Sequence, residues 1–145
     1  MSAITITKAT DDEVHQIGSG LRAFNQESVG EIAYHPVLLA AKNDAGQVVG
    51  GFIGSVFLGW LSVDVLWVSE SHRRAGIGRS LLNEAESEAL TLGAKSAYLD
   101  TFQWQAYGFY AAQGYREFGR LNDFPEGQSR IFMQKQLPVE DPPPA

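Results

Sequence analysis

The chain has 145 residues, of which 44% are apolar and 11% aromatic, and it contains no cysteine. A chain of this length is most simply one domain with a single core, and the lack of cysteine excludes disulfides, zinc–thiolate sites and a cysteine nucleophile. The formal charge of −6 argues against nonspecific nucleic-acid binding and is compatible with a cationic substrate. The sequence shows no long apolar run and no basic-then-apolar start, so we expect a cytoplasmic protein that binds no membrane.

The first predicted elements are a short strand and an amphipathic helix. Residues 4–7 alternate as in a strand, and residues 10–13 form a capping-box sequence that begins a helix. Apolar residues then recur at helical spacing and predict one buried stripe, formed by Val14, Ile17, Leu21 and Phe24.

A β-hairpin and a central strand come next. Two apolar stretches, 37–42 and 48–57, flank turn residues at 43–46 and predict the hairpin. The strand that follows, 61–68, is apolar at alternate positions and at each of its last four residues. That pattern predicts a central strand whose end is buried on both faces.

The second half of the chain alternates helices and strands. A helix that stops at Gly93, a strand at 96–101, a short helix at 106–113 and strands at 116–121 and 130–137 are predicted. The unit from 61 to 101 requires parallel strands joined by a right-handed crossover. The order β-α-β-β-β-α-β-α-β-β therefore predicts an α/β (α+β) fold: a mixed sheet of about seven strands with helices on both faces. Residues 1–137 are expected to form a single domain, and the proline-rich acidic tail, 138–145, is expected to be disordered.

A turn rich in arginine and glycine follows the central strand. Arg73, Arg74 and Arg79 surround Gly76 and Gly78, where a helix begins. A helix N-terminus has unpaired N–H groups and the positive end of a dipole, and glycine lets a ligand approach the backbone, so the turn predicts a phosphate cradle. A Walker loop and a dinucleotide fingerprint both misfit the glycine spacing. A solvated basic turn is the simpler alternative.

Two motifs resemble the GNAT superfamily of N-acetyltransferases. Residues 73–78, Arg-Arg-Ala-Gly-Ile-Gly, are similar to its [Q/R]-x-x-G-x-[G/A] signature, and residues 109–115 are similar to its F-Y-x-x-x-G-[F/Y] pattern. The order of elements is also similar, over nearly the whole chain to Leu137. The resemblance implies a GNAT-like fold and an N-acetyltransferase that uses acetyl-CoA. A non-catalytic acyl-CoA-binding or sensing module is the alternative.

The resemblance also implies where acetyl-CoA binds. In the family, backbone amides of the signature loop hold the pyrophosphate, which corresponds here to Arg73, Arg74, Ala75, Gly76, Ile77, Gly78 and Arg79. The pantetheine arm pairs with the end of the central strand, at Leu66, Trp67 and Val68, where the neighbouring parallel strand splays away. Gln103 stands where the family often carries a cofactor-contacting asparagine.

Two side chains are candidates for proton transfer. Tyr110 occupies the motif's tyrosine, which the resemblance implies is a general acid for the departing thiolate; a tyrosine packed in the core is the alternative. Asp64 is a candidate general base, directly or through water, and alternation predicts it on the same side as Leu66 and Val68. An aspartate satisfied by backbone N–H groups is the other interpretation. A backbone N–H near Trp67 or Val68 would stabilise the oxyanion.

The acceptor is predicted to be a primary amine, attacked directly in a ternary complex. A small molecule is favoured over a protein lysine or N-terminus, because the short chain shows no peptide-binding appendage. Its binding residues are predicted to be Asn25, Trp60, Phe102 and Phe124, with ordinary core or rim packing as the alternative for each. No metal site is predicted, and a homodimer is implied by the resemblance alone.

Overall fold

The computed structural model describes residues 2–138. These residues fall into two units, the first ending at Ile32 and the second beginning at Ala33, and each is described by itself. The predicted tail, apart from Pro138, lies outside the described residues.

Helix α1, Asp11–Val29, dominates the N-terminal unit, and its start is the predicted capping box. The Thr10 hydroxyl accepts a hydrogen bond from the Glu13 N–H at 3.3 Å, and the Glu13 carboxylate accepts one from the Thr10 N–H at 2.9 Å. Donation from the Thr10 backbone lowers the pKa of Glu13. None of the residues of α1 is buried, so the predicted burial of its apolar stripe is wrong.

The predicted strand at 4–7 is also wrong. Residues 2–10 have no regular secondary structure, and Ile4 and Ile6 are almost fully exposed. A strand needs a neighbour for its N–H and C=O groups, and the described part of this unit contains no other strand. The sheet therefore has six strands where about seven were predicted.

The second unit contains the sheet, in the order β1-β2-β3-β4-β6-β5. Strands β3 and β4 are parallel, as the crossover requires, and the neighbouring pairs on both sides are antiparallel. Its elements are β1 Tyr34–Lys42, β2 Val48–Phe57, β3 Trp60–Val68, a 3₁₀ turn Glu70–His72, α2 Ile77–Thr91, β4 Ser96–Phe102, α3 Tyr107–Ala112, β5 Arg116–Asn122 and β6 Ser129–Gln136.

Helix α2 covers one face of the first three strands. Its fully buried residues, Leu82, Ala85 and Ala89, recur at helical spacing and pack in one core with Phe52 and Leu61. Each large apolar side chain buried in this way stabilises the fold by about 1.5–3 kcal/mol. The face that carries α2 is called the core face below, and the opposite one the distal face.

Candidate active site

A cleft of about 900 Å³ opens at the ends of β3 and β4. Its walls come from β3, the arginine-rich turn, the first turn of α2, the end of β4 and helix α3. Most of the predicted cofactor and catalytic residues line it, namely Asp64, Leu66, Trp67, Val68, Arg73, Arg74, Gly76, Ile77, Gly78, Arg79 and Tyr110.

The cleft exists because two parallel strands part. Strand β3 pairs with β4 only from Trp60 to Val63, opposite Ser96 to Leu99, although both strands continue beyond that point. The backbone of β3 from Asp64 to Val68 therefore has no strand partner on its β4 side among the described residues. Such an edge can pair with an extended ligand as it would with another strand.

A β-bulge places Asp64 at the point where the strands part. In the β2–β3 register, Ile53 is opposite Val65 and Gly54 is opposite Val63, so Asp64 has no partner in β2. The bulge resets the alternation: Leu66 packs against the core, whereas the Asp64 carboxylate accepts a hydrogen bond from the Ser62 hydroxyl on the distal face. The prediction that Asp64 shares a side with Leu66 and Val68 is wrong for this reason.

The first turn of α2 has the geometry of an anion site. Gly76, the residue before the helix, has φ of 81°, a left-handed conformation that glycine adopts without strain. Among residues 2–138, no acceptor is found for the backbone N–H groups of Ile77, Gly78 or Arg79. A Cβ at Gly76 would meet no atom within 4 Å other than those of its chain neighbours, and Gly76, Ile77, Gly78 and Arg79 all line the cleft. The residues present fit a pyrophosphate.

One arginine of this turn supports the backbone. The Nε of Arg73 donates to the carbonyl oxygen of Val68 at 3.1 Å, which ties the turn to the end of β3. Arg74, with φ of 65°, and Arg79 are exposed and line the cleft.

Tyr110 reaches the cleft from the core. Its side chain is 7% exposed, and its ring meets those of Phe109 and Tyr115 edge-on at centroid distances of 5.2 and 5.8 Å. Burial raises the pKa of Tyr110 above the usual value for tyrosine. The phenol is therefore protonated at neutral pH and can donate a hydrogen bond.

A buried polar network lies behind Tyr110. The Tyr115 hydroxyl donates to Glu86 Oε2 at 2.7 Å, and Lys135 Nζ donates to Glu86 Oε1 at 2.7 Å. Burial, followed by the charge of Glu86, raises the pKa of Tyr115. Both oxygens of the buried carboxylate are thus satisfied, and α2, β6 and the Tyr115 ring are held together.

The predicted acceptor residues lie in different places. Phe102 is on the distal face at the end of β4, and Phe124 contacts it at a ring distance of 5.7 Å. Trp60 lines a separate cavity of about 440 Å³, also on the distal face, with Tyr98. Asn25 belongs to α1 in the N-terminal unit.

Two predicted cofactor residues do not line the cleft. Ala75 is exposed in the turn, and Gln103 is bonded to the β6 strand instead, its amide oxygen accepting the Ser129 N–H at 2.9 Å.

Sequence reasoning did not assign Asp100 or Gln105, which the structure places in the cleft wall. Asp100 alternates with the buried Leu99 and Thr101, a pattern that could have assigned it to the distal face. No pattern in the sequence indicates Gln105. In the structure its amide oxygen accepts a hydrogen bond from the Phe102 N–H at 3.0 Å and closes a local loop.

The family model described as "Acetyltransferase (GNAT) family" matches residues 7–115. Since this match spans most of the chain, the protein belongs to the GNAT acetyltransferase family. The resemblance predicted from the two motifs is thereby confirmed.

Relatives agree with the assignment. The chain is 35% identical to an acetyltransferase from Agrobacterium fabrum over 81% of this chain and 85% of that protein. It is 37% identical to the blasticidin-S acetyltransferase of Streptomyces morookaense over 67% of this chain and 72% of that protein. A crystal structure of an acetyltransferase from Bacillus cereus superposes with a TM-score of 0.86 at 34% identity, covering 92% of this chain and 98% of that one.

The protein is thus an acetyltransferase, and acetyl-CoA is its co-substrate. This excludes the non-catalytic sensor considered from the sequence. Within residues 2–138, no helix has the length and apolar character needed to span a membrane.

Proposed function

We propose that the protein acetylates a primary amine of a small molecule by direct attack, with acetyl-CoA and the amine bound together. The observation that carries the proposal is that a single cleft joins an anion site, an unpaired strand edge, a buried tyrosine and a carboxylate. The anion site and the tyrosine approach from the core face, whereas the Asp64 carboxylate lies on the distal face.

Acetyl-CoA supplies the acetyl thioester. The free N–H groups of Ile77, Gly78 and Arg79 hold its pyrophosphate. The edge of β3 at Leu66, Trp67 and Val68 holds the extended arm, because no strand pairs with that edge on the β4 side. These contacts aim the thioester at the gap between β3 and β4.

Asp64 is the proton acceptor of the proposed reaction, and Tyr110 is its proton donor. Asp64 accepts a proton from the ammonium form of the acceptor, directly or through water, and leaves a neutral nucleophile. A bond forms between the amine nitrogen and the acetyl carbon, and the carbon–sulfur bond breaks. The nitrogen that has attacked loses its second proton to solvent as the amide forms, and Tyr110 gives its phenolic proton to the leaving sulfur. Tyr110 then recovers a proton from solvent and Asp64 releases its proton to solvent, so an ammonium and a thioester become an amide, a thiol and one released proton. Atoms and charge therefore balance.

The proposal that the acceptor is small is supported by one of the relatives. A protein 37% identical to this chain is named for acetylating blasticidin S, a small molecule. A lysine or N-terminus of a protein is the second candidate acceptor.

Thiol release from acetyl-CoA over a panel of small amines, compared with lysine-containing peptides, tests the proposal. We expect turnover of at least one small amine with kcat/KM at least about tenfold above any peptide, because a site shaped for a small molecule discriminates by fit. Turnover of peptides alone would contradict the small acceptor.

The proton-transfer role of Asp64 has its own test. Asp64→Asn keeps the size and the contact with Ser62 but cannot accept a proton, and we expect kcat to fall by roughly 10²–10⁴-fold. Raising the pH should restore part of that loss, because more of the amine is then neutral in solution. An unchanged pH–rate profile would remove Asp64 from the mechanism.

A further inference from the structure

An aromatic stack reaches the cleft through Trp104, which forms part of the cleft wall. Phe102 and Trp104 are nearly parallel, with ring centroids 4.5 Å apart and planes inclined by 15°. Phe124 adds a third ring 5.7 Å from Phe102. Phe102, Trp104 and Phe124 are called the aromatic platform below.

Arg130 holds the platform in place. Its guanidinium carbon lies 5.7 Å from the Phe102 ring centroid and 5.1 Å from that of Phe124, within the range of cation–π attraction. Its Nε also donates to Asp100 Oδ2 at 2.7 Å. One side chain therefore links the rings to a carboxylate in the cleft wall.

The loop that carries Trp104 is held as well. Gln105 accepts hydrogen bonds from the Phe102 N–H at 3.0 Å and the Thr101 hydroxyl at 3.3 Å, and its own N–H donates to the Phe102 carbonyl at 2.9 Å. The indole is nevertheless 56% exposed. An exposed but positioned indole offers a flat apolar surface at little entropic cost on binding.

The position of the platform favours the acceptor over the cofactor. Phe102 and Asp100 alternate with the buried Leu99 and Thr101, so they face away from Tyr110, which shares the core with Leu99. The anion site adjoins the core-face helix α2. A ring on the platform and a pyrophosphate on α2 therefore reach the gap between β3 and β4 from opposite faces.

We infer that the aromatic platform binds a planar ring of the acceptor, so that the substrate class is an amine carrying a flat aromatic or heteroaromatic group. The ring stacks on Trp104 and its amine points toward Asp64. Arg130 acts as a positioning residue. This inference rests on the proposed small-amine acetyltransferase activity.

A matched pair of probes tests the platform. 2-Phenylethylamine and 2-cyclohexylethylamine have the same carbon skeleton, but only the first has a flat ring. Calorimetric titration of each amine into the protein saturated with CoA measures binding without turnover, and thiol release measures turnover. We expect the flat amine to bind about three- to tenfold more tightly and to show a correspondingly lower KM, the usual size of a stacking contribution.

Three variants locate the effect. Trp104→Ala should abolish the preference by weakening binding of the flat amine, while Trp104→Phe should keep most of it. Phe118→Ala removes an exposed aromatic side chain that does not line the cleft and should leave the preference unchanged. Affinity for CoA should stay within about twofold in Trp104→Ala, because the anion site is on the other face.

The possible results distinguish the role of the aromatic platform from the proposed acetyltransferase activity on small amines. Preferential binding of the flat amine that depends on Trp104, without turnover, would support the platform and contradict the proposed function. Turnover of amines with no flat-ring preference would overturn the platform and leave the function standing. Loss of CoA affinity in Trp104→Ala with unchanged amine binding would assign the indole to the cofactor and overturn the inference, and absence of both amine binding and turnover would overturn both.

Discussion

The anion site and the aromatic platform, at the two ends of the cleft, present different chemical groups. At the anion site the proposed recognition groups are backbone N–H groups, fixed by the start of α2 and by Gly76. At the aromatic platform they are side chains drawn from β4, the loop after it and the β5–β6 turn. A backbone site tolerates changes in neighbouring side chains but not in backbone conformation, whereas a side-chain site can change specificity one residue at a time.

The largest expected effect on CoA affinity is at the backbone end. Gly76→Val places a β-branched residue at φ of 81° and adds a side chain at a position that lines the cleft. We expect CoA affinity, measured by calorimetry, to fall by at least about 100-fold, because several charge-assisted contacts are lost together.

Gly46→Val is the matched control for Gly76→Val. Gly46 has φ of 78° and equally open surroundings, but it lies in the β1–β2 turn. Its substitution should cost a similar amount of stability and leave CoA affinity unchanged. Equal losses of affinity in both variants would show that strain, and not the anion site, is responsible.

The next largest effect is expected at Tyr110. Tyr110→Phe should lower kcat by roughly 10–1000-fold with little change in CoA affinity, because only the proton donor is lost. Since burial raises the pKa of Tyr110, the phenol stays protonated beyond the ordinary tyrosine value of about 10. The kcat–pH profile of the wild type should therefore show no decline from this group below about pH 10. Unchanged turnover in Tyr110→Phe would exclude Tyr110 as the acid.

A smaller effect, on stability, is expected at Tyr115, which packs behind Tyr110. Tyr115→Phe keeps the ring against Tyr110 but removes the hydrogen bond to buried Glu86, and should lower the free energy of unfolding by about 1–3 kcal/mol. Because the pKa of Tyr115 is raised by folding, its contribution is complete below the unfolded value of about 10 and is lost as pH rises above it. Denaturant titrations should then show a shallower alkaline decline in the variant. Tyr34→Phe, at an exposed position, is the control.

The smallest effect concerns the arginines of the turn. Arg79 is exposed, and an exposed charge contributes only about 0.2–1 kcal/mol. Arg79→Gln should therefore raise the Kd of CoA by less than about fivefold, and the difference should shrink with salt. Arg116→Gln, outside the cleft, provides the background value. A loss of CoA affinity as large as that of Gly76→Val would mean that the charge of the arginine side chains, and not the backbone N–H groups, dominates CoA binding at the anion site.

The contrast between a site made of backbone groups and a site made of side chains also explains which features can be predicted from the sequence. The anion site and the tyrosine each lie within a run of seven consecutive residues, so their spacing is visible without knowing the fold. The hairpins, the parallel pair and α2 follow likewise from local periodicity and turn residues.

The side of Asp64 could not be predicted in this way, because it depends on a second strand. The bulge forms where Gly54 of β2 passes β3 so closely that a Cβ at Gly54 would clash with the Ser62 carbonyl oxygen. Alternation along β3 alone contains no trace of that contact. The aromatic platform is similarly non-local, since Arg130 is 30 residues from the Asp100 it bonds.

Acetyl-CoA and the amine are proposed to occupy one cleft at the same time, from opposite faces of the sheet. Initial rates measured while both concentrations are varied test this proposal most directly. We predict double-reciprocal lines that intersect, as a ternary complex requires. Parallel lines, which indicate a covalent acetyl-enzyme formed before the amine binds, would contradict the account.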